Sequence, residues 1–165
     1  MPGKRVADSA IDGHVYKLFP NDLNANHTVF GGVIMATCAR LALVVAERHS
    51  GRVCVTASAD QFNFLAPARD GDTLVFRAAL NRAWGTSMEV GVRVVAENSY
   101  TGEVRHILSA YLTFVALDAG NRPVPVPPVL PETDAEQRRY DEAGLRRQAR
   151  MRAREELGAY RATLR

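Results

Sequence analysis

Between Val33 and Ala46 only Thr37 and Arg40 are polar, and no proline or internal glycine interrupts the run. A segment of this length reads as a helix, and a helix that is apolar on nearly every side must be buried on most of them. Gly31-Gly32 precede it. His49-Ser50-Gly51 follow, with Arg48 and His49 in the last turn, where cations suit the helix dipole, and Gly51 placed for a left-handed cap.

What surrounds this helix decides the fold. Residues 10–19 read as a first strand, which enters a loop through Pro20-Asn21-Asp22-Leu23-Asn24-Ala25-Asn26. After the helix come four strand-like runs, 53–64, 73–83, 86–97 and 104–117. Alternation is clearest in the third, with Met88, Val90, Val92 and Val94 on one face and Glu89, Gly91 and Arg93 on the other. The connections are short and turn-rich, which requires antiparallel neighbours, because a parallel crossover needs a dozen residues or more. One long buried helix before an antiparallel meander leaves the sheet to curl around it. The expected class is α+β, with about five curved antiparallel strands around a central helix.

Five prolines between Pro123 and Pro131 then impose an extended stretch that is neither helix nor central strand. Thr133-Asp134-Ala135-Glu136 has the form of a capping box, so a second helix starts there. Its apolar stripe (Leu145, Ala149, Ala153, Leu157, Tyr160, Leu164) is thin, and such a helix needs a surface to dock on. The expected organisation is a domain over residues 1–120, an extended linker over 121–132 and a basic helix over 133–165.

Composition narrows the partners. The 165 residues are 47% hydrophobic and 24% charged, the profile of one globular domain that needs neither disulfide nor metal to hold a core. Cys38 and Cys54 stand in apolar surroundings without metal-ligand spacing, which fits buried small hydrophobes in a reducing compartment. No apolar run reaches the ~20 residues of a membrane span and no signal-peptide core follows the first residues, so a cytoplasmic location is expected. From Gly144 onward seven arginines face only Glu155 and Glu156, a surplus of five, which leaves the remainder at −2 of the overall +3. A slightly acidic domain with a basic helix argues against a nucleic-acid module and for the phosphates of a small polyanion.

Several segments together carry a family resemblance. They are Phe19-Pro20-Asn21-Asp22-Leu23-Asn24, Val29-Phe30-Gly31-Gly32-Val33-Ile34-Met35, Val55-Thr56-Ala57-Ser58-Ala59-Asp60, Asn63-Phe64, Thr86-Ser87-Met88-Glu89-Val90 and Thr113-Phe114-Val115-Ala116-Leu117-Asp118, continued by the proline stretch through Thr133. In combination they resemble the acyl-CoA hydrolases, thioesterases of the hotdog fold. The resemblance implies a fatty acyl-CoA substrate, a dimer with the site between subunits, assembly into a trimer of dimers, and no separate cofactor.

Thioester hydrolysis needs a polarised carbonyl, a positioned water and a general base. Gly31 and Gly32 open the helix, where free backbone N–H groups and the positive dipole end can face a thioester oxygen. The resemblance makes Asn24 the amide that orients water or carbonyl. It also implies that Ala57, Ser58, Ala59, Thr86, Ser87 and Met88 line the coenzyme A site. Arg146 and Arg147 are the candidates for the coenzyme A phosphates, since arginine binds phosphate bidentately.

Position 39 departs from the pattern: where the family carries a helix aspartate, fifteen residues after Asn24, this chain has Ala39. A methyl group neither takes a proton nor attacks a carbonyl. Three explanations are open: a non-hydrolysing or weakly active member, another base with Asp60 the first to test, or an introduced alanine that keeps substrate intact. The third is favoured because the neighbouring segments fit an active enzyme; a binding or sensing protein is the alternative reading. There is no serine-nucleophile elbow and no phosphate loop, and His14, His27, His49 and His106 lack metal-ligand spacing and read as surface, loop or cap residues.

Overall fold

The computed structural model describes residues 1–164. A 20-residue helix, α1 (Gly31–Ser50), lies in the hollow of a five-stranded sheet built from β2 (Ile11–Lys17), β3 (Val53–Phe64), β4 (Thr73–Trp84), β5 (Ser87–Glu97) and β6 (Val104–Leu117). Strand order is β2-β4-β5-β6-β3, with every pairing antiparallel. This is the hotdog architecture expected from the sequence.

Strand pleat assigns the two faces. On the inner face Phe76, Leu80, Met88, Val90, Leu108, Leu112 and Phe114 are fully buried against Ile34, Cys38, Ala42 and Val45 of α1. Cys38 and Cys54 are unpaired and buried, and burial pushes the Cys38 thiol up to about 12, which makes it an inert space-filler. One stripe of α1 nonetheless stays uncovered: Met35, Ala36, Arg40 and Val44 are exposed.

The outer face of the sheet receives the second helix, α2 (Asp134–Thr163). Thr133 caps it as anticipated, its hydroxyl accepting from the Glu136 amide at 3.2 Å while Glu136 accepts from the Thr133 amide. Docking is confined to the first half, where Ala143 is buried; from Met151 onward the described residues are exposed.

The proline stretch is extended, as its composition requires, yet it is not a free spacer. Val126, Pro127 and Val129 are buried, and β7 (Val129–Leu130) pairs in parallel with β1 (Lys4–Arg5). His49, expected as an exposed cationic cap, is instead fully buried at the end of α1, where its Nε2–H donates to the Pro127 carbonyl at 2.8 Å and Nδ1 has no partner. Lys4 Nζ closes the same corner by donating to the His49 carbonyl at 2.7 Å.

Burial, reinforced by Lys4, holds the His49 ring below the ordinary histidine value of 6.5, and the bond to Pro127 only partly offsets this. The unfolded chain therefore binds the proton first as pH falls. The contribution is complete above about 6.5 and is lost progressively on acidification. Urea midpoints should drop more steeply between pH 7.5 and 5.5 for the parent than for His49→Gln; equal slopes would refute the assignment.

Candidate functional site

The loop before α1 is shaped by its own short-range bonds. Asn24 Oδ1 accepts from the Asn26 amide at 2.9 Å and its Nδ2 donates to Thr28 Oγ1 at 3.0 Å. His27 takes a left-handed φ of 55°, and the Phe30 amide donates to the Asp22 carbonyl at 2.8 Å. These bonds hold an exposed Asn24 on a closed loop that leads straight into the helix.

Phe30, in the N-cap position, offers no capping oxygen, and no acidic residue stands in the first turn of α1. The leading amides, Gly31 and Gly32 among them, thus stay available at the positive end of the dipole. Beside them opens a cleft of about 440 Å³, lined mainly by apolar groups that include Val29, Ile34, Phe64, Pro67 and Ile107. A Cβ on Gly31 would lie 3.2 Å from Phe64 Cζ, so glycine leaves room for the ring to close over the backbone. An apolar cleft that meets uncapped amides can take an acyl chain and polarise a carbonyl at its head.

Ala39 lies half-buried in the middle of α1. It shares a face with Gly32 but stands two turns, roughly 10 Å, further along the axis. Asp60, the alternative base, is turned away. Bulges between Thr56 and Ser58 and between Ala59 and Gln61 shift the β3 register. Asp60 meets Arg150 across the outer face of the sheet and accepts from Ser58 Oγ at 2.8 Å.

The coenzyme A candidates fall into two groups. Ala57, Ser58 and Ala59 sit on the edge strand, and Thr86-Ser87-Met88 lie at the same level of the sheet, one strand removed: Ser58 is opposite Thr113, and Thr113 is opposite Glu89. Their side chains differ in availability. Ala57 and Ala59 are exposed, Ser87 Oγ donates to the Trp84 carbonyl at 3.3 Å, and Met88 is a core residue pointing at the helix. From Ser58 to Phe64, beside Gly31, the chain runs six residues, roughly 20 Å. Within the single chain these segments and the helix N-terminus do not converge.

The arginines take positions that sequence reasoning missed. Arg146 is turned inward, donating from Nη2 to Glu89 Oε1 at 2.6 Å with its guanidinium 3.7 Å from the centre of the Tyr111 ring. Glu89 is fully buried and also accepts from Asn81 Nδ2 at 3.0 Å. Arg147 stacks on Trp84 at 4.8 Å. The signal for Glu89 was present: one carboxylate among apolar strand residues must find a cation.

A hotdog sheet around an uncapped glycine-led helix, with an apolar cleft at that helix start, is an arrangement that the comparisons with known proteins assign to the thioesterase class. A sequence model of the thioesterase superfamily matches residues 26–103. An uncharacterized acyl-CoA thioester hydrolase of Bacillus subtilis, YkhA, is 42% identical over 120 residues, 73% of this chain and 70% of that protein. The acyl-CoA hydrolase of Bacillus cereus superposes with a TM-score of 0.89 at 39% identity, covering 99% of this chain and 98% of the other. An aspartate-to-alanine mutant of the Staphylococcus aureus acyl-CoA hydrolase gives 0.90 at 38% identity, covering 97% and 98%. The chain belongs to the acyl-CoA thioester hydrolase family.

Proposed function

We propose that this chain is an acyl-CoA thioesterase, releasing free acid and coenzyme A, whose rate is held down by the missing carboxylate at position 39. One observation carries the second half of this reading. The S. aureus hydrolase has been studied as asparagine, aspartate and threonine mutants to alanine, the three positions fifteen and then seventeen residues apart. Asn24, Ala39 and Thr56 repeat both intervals here. The same enzyme is known in complex with butyryl coenzyme A and coenzyme A, which supports an acyl-CoA as the substrate of this chain.

In this reading the substrate carbonyl meets the Gly31 and Gly32 amides, the acyl chain enters the adjoining cleft, and Asn24 orients the water. Coenzyme A runs along Ala57-Ser58-Ala59 and Thr86-Ser87. Arg147 is the more available of the two proposed phosphate ligands, since the charge of Arg146 is already spent on Glu89. The test is turnover of acyl-CoAs of graded length by this chain and by Ala39→Asp.

The same reading makes the working unit a pair of chains. A carboxylate roughly 10 Å down α1 and coenzyme A segments roughly 20 Å along β3 reach one thioester only if a second copy supplies part of the site. The free edge of β3 exposes Val53, Val55 and Phe64, and the uncovered stripe of α1 adds Met35 and Val44; both suit a two-fold partner. A related acyl-CoA thioesterase is hexameric, which supports three such pairs. Light scattering should give a dimer or a multiple of it, and Val55→Lys with Met35→Lys should release monomer; a monomeric parent would refute the two-subunit site.

A further inference from the structure

The floor of the cleft beside the helix start is built by an irregularity in the sheet. Val94 pairs with Leu108 but Val95 pairs with His106, so β6 carries Ile107 as an extra residue between two register positions. The neighbouring side chains show where that residue goes. His106 Nε2 and Ser109 Oγ lie 3.0 Å apart, and Tyr111, two residues beyond Ser109, stacks under Arg146 of α2 on the outer face. Residues three apart in an unbroken strand face opposite sides, so 106 and 109 share the outer face only because the bulge lies between them. Ile107 and Leu108, consecutive in sequence, are accordingly both fully buried. An unbroken register would turn position 107 outward and leave the cleft deeper.

Burial separates the floor of the cleft from its mouth. Ile34, Ala68 and Ile107 are at most 1% exposed, whereas Phe64, Leu65 and Pro67 at the rim are exposed. The wall between rim and floor is pinned at both ends. The Leu65 amide donates to the Ile107 carbonyl and the Val29 amide to the Ala68 carbonyl, each at 2.8 Å. Ile34 follows Gly31 by three residues, roughly 4.5 Å of helical rise, so a straight chain with its head at the Gly31 amide meets this floor within its first several carbons.

We propose that Ile107 is the stop that sets the length of acyl chain accepted here, an inference that rests on the reading of this cleft as the acyl site. Each methylene that enters leaves water and is stabilised, up to the one that touches Ile107; the next finds a close-packed floor that yields little. Short and medium straight chains are the accepted class. Ile107 discriminates among them without touching the thioester.

Calorimetric titration with S-alkyl-CoA thioethers from ethyl to hexadecyl, which cannot be hydrolysed, reads the stop without turnover. Affinity should rise about fourfold per methylene and then level off. Ile107→Val, one methyl smaller and mild in its effect on stability, should move the levelling point outward by about one carbon, and Ile107→Ala should move it further. Coenzyme A alone should bind parent and variants alike. Should Ile107→Ala fail to fold by circular dichroism, Ile107→Val decides. A levelling point unmoved in the folded variants, or a parent affinity that ignores chain length or climbs through hexadecyl, overturns the proposal. Acyl-CoA turnover keeps the two readings apart: hydrolysis with an unmoved levelling point defeats the stop alone, whereas a levelling point that moves without hydrolysis by the parent or Ala39→Asp defeats the hydrolytic reading alone.

Discussion

Replacing Ala39 by aspartate is expected to raise kcat for acyl-CoA hydrolysis by about 10²–10⁴-fold, the range a positioned general base contributes. In the proposed reading the other elements of the site do not depend on that carboxylate. The helix start is uncapped, Asn24 is held on a closed loop, and the cleft is open. The parent should therefore show residual turnover from carbonyl polarisation and binding alone, with the gain appearing in kcat while KM changes little. Position 39 is half-buried in a well-formed helix where alanine is the best former, so the aspartate costs some stability, and folding should be confirmed by circular dichroism. No gain with any chain length, in a variant that folds and assembles, would leave binding without hydrolysis as the function.

The second large effect concerns the anchor of α2. Glu89→Ala should destabilise the protein by about 3–5 kcal/mol, because it strips a buried ion pair of one partner and leaves the Arg146 charge against the sheet. For a chain of this size that is a fall of about 10 °C in Tm. The loss should be local in character. Arg146 and Arg150 both reach Glu89, so α2 should loosen before the sheet does, and trypsin should cut among its arginines early. A shift under about 2 °C with unchanged proteolysis would mean that Arg82 stacked on Tyr140 and Arg147 on Trp84 hold the helix instead.

The fold was legible because it rests on local signals. The apolar run after Gly31-Gly32 became α1, the four strand-like runs fell within a residue or so of β3 to β6, and Thr133 with Glu136 marked the start of α2. What stayed hidden depends on partners distant in sequence. The pairing of Lys4–Arg5 with Val129–Leu130 joins segments some 125 residues apart, and nothing in either announces the other. The β3 bulges are equally silent in the sequence, yet Asp60 lies among them on the outer face, away from the chemistry for which it was considered. Met88 was legible as core by alternation and was drawn into the coenzyme A segment only by its neighbours.

The arginines illustrate the limit most clearly. Counting them located the charge but not its use. Arg146 and Arg150 serve as pins between α2 and the sheet, while Arg152, Arg154 and Arg161 stand exposed.

The pleat that sorts side chains onto two faces also works as insulation. In the proposed reading the thioester lies on the helix-facing side, while the ion pairs that pin α2 project from the other face of the same strands. Substitutions in the two layers should combine additively in free energy. Packing against α1 and anchoring of α2 can therefore vary separately, two adjustable contacts carried by one sheet.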